Sequence, residues 1–420
     1  MTQTNADSSI LEEQPDASAP TIGTFQGVIS AFHTARAEIA GLFAVVGVDP
    51  TKARESAREL GINRGLSWRL TRMVRESNPA AAASDVPGTQ SMAKFFDACR
   101  ERGASKEALE SAAQAVERFE LALSRCSGDR KTFAMLLANG GAPRNSNNQE
   151  RARRKVFEGA CGVWGVQAQT RFVTVFVFPS PDDPDQLDAG HVTGFVGCRR
   201  LSSRPWPLSY EAVHRSTGDV ASFVKEPLHP SGHTEGQAQL FQEFCSPVVP
   251  EIEVHEAGGY KRFELAVGPV GNEGLQTVVF GTRLRRLYPR YSETPETAGF
   301  MVLITTPVER VLFDLFVHRG LMVPTGIRTQ LLDRLMFPHV NDESEYERMS
   351  LPLQETAVTL PPGVSGAMCP HIPWYTQMVT SVTSRLGMSI NDFTGSRFEM
   401  AYPPISTTLS RRFDLLPHPR

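Results

Sequence analysis

The sequence predicts a protein of two regions, an all-helical bundle followed by an α+β region. With 420 residues the chain exceeds the size of one comfortable hydrophobic core. From residue 24 to about 160, apolar residues recur at three- and four-residue spacings, which indicates helices. Beyond residue 160, short β-branched and aromatic runs bounded by Gly, Pro and Asp are typical of strands.

Charge is distributed unevenly between the two regions. The formal net charge is only −3, but residues 21–155 carry 21 basic and 14 acidic side chains. Residues 156–420 carry 22 basic and 28 acidic side chains. A basic front region before a mildly acidic remainder predicts a polyanionic partner for the front region alone.

The N-terminus and the cysteines indicate a cytoplasmic protein. Residues 1–20 are acidic and lack hydrophobic periodicity, so we expect a disordered tail and not a secretory signal. The six cysteines are scattered without a C-x-x-C pair, which favours free thiols in a reducing compartment. No window approaches 18 uninterrupted apolar residues, and the nearest, 300–317, is broken by Pro307 and by charged side chains. We expect no membrane partner.

The helical domain is predicted to span residues 21–145. Apolar spacing, caps and terminating glycines predict its helices at 24–46, 49–61, 64–75, 90–102, 106–126 and 129–139. Asp49 is the expected N-cap of the second helix, with Pro50 in its first turn. The basic run that follows predicts a connecting helix or hinge at residues 146–160.

The α+β region is predicted to span residues 161–420 and to sense a ligand or mediate assembly. Its predicted strands are 171–180, 191–201, 275–287 and 299–306, and its predicted helices are 307–320 and 375–388. Arginines near the ends of these strands favour a charged sheet edge over a site for an anionic ligand or a second DNA contact. The sequence indicates no catalytic residue, cofactor or metal.

One stretch, residues 57–75, "ARELGINRGLSWRLTRMVR", points to a function. Ala57 provides a small residue where two helices could cross, and Gly61 tolerates the left-handed backbone of a sharp turn. Leu60 and Ile62 flank that glycine. By these residues, the segment from about 51 to 75 resembles the helix-turn-helix of bacterial transcriptional regulators; the C-terminal half shows no such resemblance. Ser67 stands where an apolar residue is expected, which predicts that the second helix is rotated or begins slightly earlier.

The resemblance implies double-stranded DNA as partner and a recognition helix over residues 64–75. In such motifs the N-terminal residues of the second helix face the bases. The side chains expected nearest the bases are Asn63, Arg64, Ser67 and Trp68. Those expected on its flank or nearer phosphates are Arg69, Thr71, Arg72 and Arg75, together with Lys52 and Arg54 of the preceding helix. A palindromic site would require a homodimer, and the second region would take an unidentified small-molecule effector.

Other functions stay open at this point. Residues 49–75 could form a plain helical hairpin with solvated arginines and with Trp68 packed on a neighbour, and the helical region could then be a scaffold that binds protein. An enzyme could reside in residues 160–420, using Asp314 with His318 or Cys369 with His371. Salt-dependent binding to duplex DNA distinguishes these alternatives from a regulator.

Overall fold

The computed structural model describes residues 24–76, 82–83, 85–140, 146–212, 224–228, 238–249, 251–257, 260–293, 297–321, 326–334 and 349–417. The chain divides into two compact units, Met1–Asn145 and Ser146–Arg420. The tail predicted for residues 1–20 lies outside the described residues. An α-helical region is thus followed by a region dominated by β-sheet.

The described part of the first unit is helical. Its helices are α1 (Phe25–Val45), α2 (Ala53–Glu59), α3 (Arg64–Arg75), α4 (Thr89–Glu101), α5 (Lys106–Ser127) and α6 (Arg130–Gly140). Their bounds match the predicted helices closely except at the start of α2. Ser105 caps α5 as its position suggests, since its hydroxyl accepts a hydrogen bond from the Ala108 N–H at 3.2 Å.

Helix α1 supplies the centre of this core. Its apolar stripe is buried, and Phe32 meets Phe119 of α5 while Phe43 meets Phe95 of α4, with ring centroids 5.9 Å and 5.1 Å apart. Among the described helices, only α1 is long and apolar enough to cross a membrane, and its mean hydropathy is 1.3. A core helix passes the same test, and the buried face of α1 assigns it to the core.

The start of α2 differs from the prediction. The helix begins at Ala53, with Lys52 at the N-cap and no side-chain cap. Asp49 instead closes a turn before the helix, because its carboxylate accepts from the N–H and the hydroxyl of Thr51, at 2.8 Å and 2.7 Å. These hydrogen bonds lower the pKa of the Asp49 carboxyl below its ordinary value.

The second unit begins with α7 (Ser146–Trp164), so the segment predicted as a connecting helix or hinge lies in the first helix of this unit. Its other described α-helix is α8 (Tyr375–Arg385). The strands are β1 (Val166–Pro179), β2 (Gln186–Arg200), β3 (Trp206–Ala212), β4 (Val224–Pro227), β5 (Ile252–Ala257), β6 (Tyr260–Leu265), β7 (Gln276–Pro289), β8 (Tyr291–Ser292), β9 (Thr297–Ile304), β10 (Val308–His318), β11 (Arg328–Asp333), β12 (Ser350–Leu351), β13 (Val358–Thr359), β14 (Phe393–Ala401), β15 (Thr407–Asp414) and β16 (Leu416–Pro417).

A seven-stranded sheet in the order β13-β14-β10-β1-β2-β7-β4 organises the unit. Its strands pair antiparallel except β1 with β10, which run parallel. A four-stranded sheet (β12-β11-β15-β9) and a three-stranded sheet (β3-β6-β5) accompany it, and β8 pairs with β16. The four strands predicted from the sequence are confirmed as β1, β2, β7 and β9.

Both faces of the seven-stranded sheet are covered. On one face, Phe172 and Phe176 of β1 share a core with Tyr375, Met378 and other buried residues of α8. On the other face, Val173 and Val175 belong to a core shared with the four-stranded sheet. The three-stranded sheet covers a further part of this second face around Phe195 and Phe280.

The helix predicted at 307–320 is wrong, because these residues form strand β10. A strand covered on both faces reads as a continuous apolar run, and periodicity does not distinguish such a run from a buried helix. The parallel pairing of β10 with β1 places it inside the sheet. The predicted charged sheet edge is also wrong for β2 and β7, because both are interior strands.

A buried polar network crosses from β10 to its neighbours. The Asp314 carboxylate, with no exposed surface, accepts from Nε and Nη2 of Arg397 at 2.9 Å and 2.7 Å. The Tyr375 hydroxyl donates to the same carboxylate at 2.6 Å and lies 2.7 Å from the Thr174 hydroxyl. Each buried charge therefore has its partner, which satisfies the condition for placing an ion pair in a core.

Replacing Asp314 should destabilise the second unit much more than removing the tyrosine hydroxyl. We expect Asp314→Asn to lower the free energy of unfolding by about 3–5 kcal/mol, because it leaves the Arg397 charge buried without a counterion. Tyr375→Phe should cost about 1–2 kcal/mol, because two hydrogen bonds are lost while the ion pair stays. Denaturant unfolding of both variants measures the difference. Equal losses would show that the pair is not the central element of the network.

Candidate nucleic-acid interface

The turn between α2 and α3 is held by the backbone of Gly61. This glycine has φ of +66°, in the left-handed region, and a Cβ added there would meet no atom within 4 Å. The Ile62 N–H donates to the Ala57 carbonyl at 3.1 Å, which closes the end of α2. Helix α3 then begins under the Asn63 cap, whose Oδ1 accepts from the Leu66 N–H at 2.7 Å.

The inward side of this helix pair agrees with the sequence pattern. Ala57 and Leu60 are buried on the α2 side of the turn. Leu66, Leu70 and Met73 are buried on α3 and belong to the core of the helical unit. The pair is therefore fixed to the bundle by one apolar side, which leaves the opposite side of α3 to solvent.

Ser67 occupies the inward position at which an apolar residue was expected. It has no exposed surface, and its hydroxyl donates to the Ala53 carbonyl at 2.7 Å. The serine thus replaces an apolar contact by a hydrogen bond between α3 and the first turn of α2. Helix α3 begins at Arg64 with both Leu66 and Ser67 buried, so the predicted rotation or earlier start is not needed.

Two predicted DNA contacts are corrected by burial. Ser67 has no exposed surface and Thr71 only 7%, so neither side chain can reach a nucleic acid without unfolding α3. Arg69 is also engaged inside the unit, because its guanidinium donates to the carbonyls of Asp85 and Val86 at 3.2 Å and 3.0 Å. Arg69 therefore ties α3 to the segment before α4.

The outward side of α3 carries the remaining predicted residues. Trp68 is 49% exposed, so half of the indole is open to solvent and is not enclosed by the bundle as the plain-hairpin alternative expected. The Arg72 guanidinium lies 5.1 Å from the centroid of the Trp68 ring and forms an ion pair with Asp85 at 3.1 Å. Arg64 and Arg75 are exposed on the same helix. The surface thus combines an indole with arginines.

Helix α2 adds two further basic side chains. Lys52 and Arg54 are both exposed, and Lys52 forms an ion pair with Glu55 at 3.2 Å. That pair raises the pKa of the Lys52 ammonium. An exposed pair of this kind contributes little to stability, so it leaves Lys52 available to an external anion.

The enzyme alternatives lose the residue pairs on which they depended. Asp314 is taken up by Arg397, whereas His318 accepts from the Gly320 N–H at 3.0 Å and packs its ring edge-on against Phe393. Asp314 and His318 therefore have separate partners and do not act together as a carboxylate–imidazole pair.

The cysteine-histidine alternative meets the same difficulty. Burial raises the pKa of the Cys369 thiol, which opposes the thiolate that a nucleophile requires. The imidazole of His371 lies 3.3 Å from the Glu399 carboxylate. The imidazole of His371 is therefore paired with this acid.

The structure also brings together a group that sequence reasoning missed. Glu253 and His255 on β5 and Glu264 on β6 offer three possible metal ligands within 4.8 Å of one another. Alternate Glu and His on one strand is the signal that could have drawn attention to them. Arg262 occupies one oxygen of Glu264 at 2.7 Å, so one of the two carboxylates is already paired with a cation.

No family model matches this chain, and comparisons with curated proteins and with solved structures find no match either. Inferences about function therefore depend on the residues and their geometry.

Two glycines four residues apart should respond oppositely to alanine. Gly61→Ala should lower the free energy of unfolding of the helical unit by about 1–2 kcal/mol, because an L-residue is strained at positive φ. Gly65→Ala should stabilise the same unit by about 0.5–1 kcal/mol, because Gly65 lies inside α3 and a Cβ there meets only the Asn63 Oδ1 at 3.4 Å. Denaturant unfolding of the full chain measures both. A harmless Gly61→Ala would exclude the left-handed turn.

Proposed function

We propose that the protein is a DNA-binding transcriptional regulator in which α2, the Gly61 turn and α3 form a helix-turn-helix. The observation that carries this proposal is the exposure of Trp68 between Arg64 and Arg72 on the outward side of α3. Exposure of an indole to water is unfavourable, and burial in the bundle would avoid this. The half-exposed Trp68 beside arginines therefore favours a partner that binds this surface.

Duplex DNA fits the chemistry of the surface. An α-helix enters the major groove, where arginine pairs bidentately with guanine and apolar groups contact the thymine methyl. Arg64 and Trp68 lie in the N-terminal half of α3 and Asn63 caps that end, which such helices direct towards bases. Arg75, Lys52 and Arg54 are suited to phosphates, and Arg72 keeps the Trp68 ring in place.

The assembly and the location follow from this function. A regulator that reads a palindromic site is a dimer, because half-site symmetry mirrors protein symmetry. Leu121 of α5 and Leu136 of α6 are both more than 40% exposed, which supports the pair α5 and α6 as the dimer interface. The protein would act in the cytoplasm, and its second unit would respond to a small-molecule effector.

The decisive experiment measures binding of the full chain to labelled duplex DNA of random sequence and to duplexes selected from genomic fragments. At about 50 mM salt we expect binding whose log K falls with log salt by about 0.9 per phosphate neutralised. Arg64→Gln and Trp68→Ala should weaken binding to the selected sites by about 5- to 150-fold. Arg75→Gln should weaken binding to all sequences alike.

The matched control is Arg100→Gln, which removes one exposed arginine from α4 of the same unit, away from α3 and from the proposed dimer interface. It should leave DNA binding unchanged, because its loss alters the net charge equally but not the α3 surface. Absence of duplex binding at low salt, or an equal loss in the control, would exclude the regulator and favour the protein-binding scaffold.

A further inference from the structure

A cavity of about 430 Å³ lies in the second unit, against the face of the seven-stranded sheet that the smaller sheets cover. Its floor comes from β1, β2, β7 and β4. Its walls come from β3 and β6 of the three-stranded sheet and from β9 of the four-stranded sheet. The cavity therefore lies where the two covering sheets meet, and its volume is within the range of small-molecule sites.

Strand register places three basic side chains on this floor. In β1, Arg171 lies two residues before Val173. The β2 partner of Val173 is Thr193, and His191 lies two residues before Thr193 on β2. Lys225 on β4 reaches the same face, because it pairs with Leu284 of β7. Residues two apart along a strand point to one face, so the basic groups run diagonally across the sheet.

Arg171 is the unusual member of this set. It is 7% exposed, and its hydrogen bonds all leave from Nη1, to the carbonyls of Phe172 and Gly194 at 3.3 Å and 3.1 Å and to the Thr193 hydroxyl at 2.5 Å. Its Nε has no partner in the described part of the chain. The guanidinium lies above the Phe195 ring, 4.5 Å from the centroid, and no carboxylate among the described residues pairs with it.

No Asp or Glu is among the described residues that line the cavity. Burial lowers the pKa of Arg171, and no acid acts against that shift. Burial and the charges of Lys225 and Arg171 lower the pKa of His191 to about 3. His191 is therefore neutral at physiological pH, and the positive charge of Arg171 has no acidic partner among the described residues.

The walls are apolar. Leu208, Phe263 and Val302 contribute buried side chains, and Phe280 adds another from the floor, while Tyr210 and Met301 are 41% and 45% exposed at the lining. A ligand that matches this lining has a hydrocarbon or aromatic body and one anionic group. Arginine binds a carboxylate through two parallel hydrogen bonds, and a single buried cation balances a monoanion.

We infer that this cavity binds a small monocarboxylate with an apolar body, the carboxylate pairing with Arg171 and the body lying among the side chains of β3, β6 and β9. The neutral His191 imidazole can donate one hydrogen bond to the same group. This inference does not depend on DNA binding, because every residue in it belongs to the second unit.

The test compares octanoate and 4-phenylbutyrate with their neutral amides, by calorimetric titration of the full chain and by thermal unfolding. Both carboxylates should bind and raise the melting temperature, whereas the amides should bind roughly 10- to 100-fold more weakly, because they lack the charge that pairs with Arg171. Octyl phosphate serves as a dianionic comparison. Equal affinity for acid and amide, or preference for the phosphate ester, would overturn the inference.

Variants locate the binding. Arg171→Met retains most of the side-chain volume and should abolish the preference for acid over amide. Leu284→Trp fills the cavity from β7 and should weaken acid and amide together, which tests the site even if Arg171→Met fails to fold. Arg310→Met removes an arginine of the same sheet that pairs with Glu399, and it should change nothing. Carboxylate binding that survives both cavity variants would place the ligand elsewhere.

Discussion

The double burial of strand β1 is the constraint on which the second unit depends. Alternate residues of this strand face two different layers, so Phe172 and Phe176 contact the α8 layer while Val173 and Val175 contact the second layer of sheets. A one-residue slip against β2 would exchange these sets and place every aromatic ring in the wrong layer. The register also decides which layer Arg171 faces. Arg171 has the same parity as Val173, so it faces the layer of the smaller sheets, where no described acidic side chain pairs with it.

In the helical unit the corresponding constraint is the contact between α2 and α3. Ala57 and the left-handed Gly61 bring the two helices together, and Ser67 then binds the Ala53 carbonyl where an apolar side chain would only pack. This hydrogen bond fixes the rotation of α3 about its axis. The same rotation that buries Ser67 turns Trp68 outward, so the internal contact and the exposed surface have one cause.

Sequence reasoning succeeded where one local signal determines the structure. Helix α5 begins after Ser105 because serine caps its N-terminus, and that signal is entirely local. Reasoning failed at β10, whose apolar run is compatible with helix or strand until the partner β1 is known. It also missed Arg171, because an arginine at the start of a predicted strand looks like a solvated end. Only the covering sheets, which come from distant parts of the chain, show that it is buried.

Arg171 in the cavity and Arg64 on α3 differ in their partners from other arginines of the chain. Arg397 has Asp314 as counterion, and the buried Arg411 donates to the carbonyls of Phe313 and Ser396, so the charges of these residues are used to join strands. Arg171 also donates to backbone carbonyls, but it differs because it lines a cavity that has no Asp or Glu among its described lining residues. Arg64 differs because it is exposed on the same helix as the exposed Trp68. A cation without an acidic partner in an apolar cavity suits a small anion, which loses its water when it binds. A cation on an exposed helix suits a polyanion that stays hydrated. In the two proposals, arginine therefore serves two kinds of anion, a desolvated small anion in the second unit and a polyanion at α3 of the first unit.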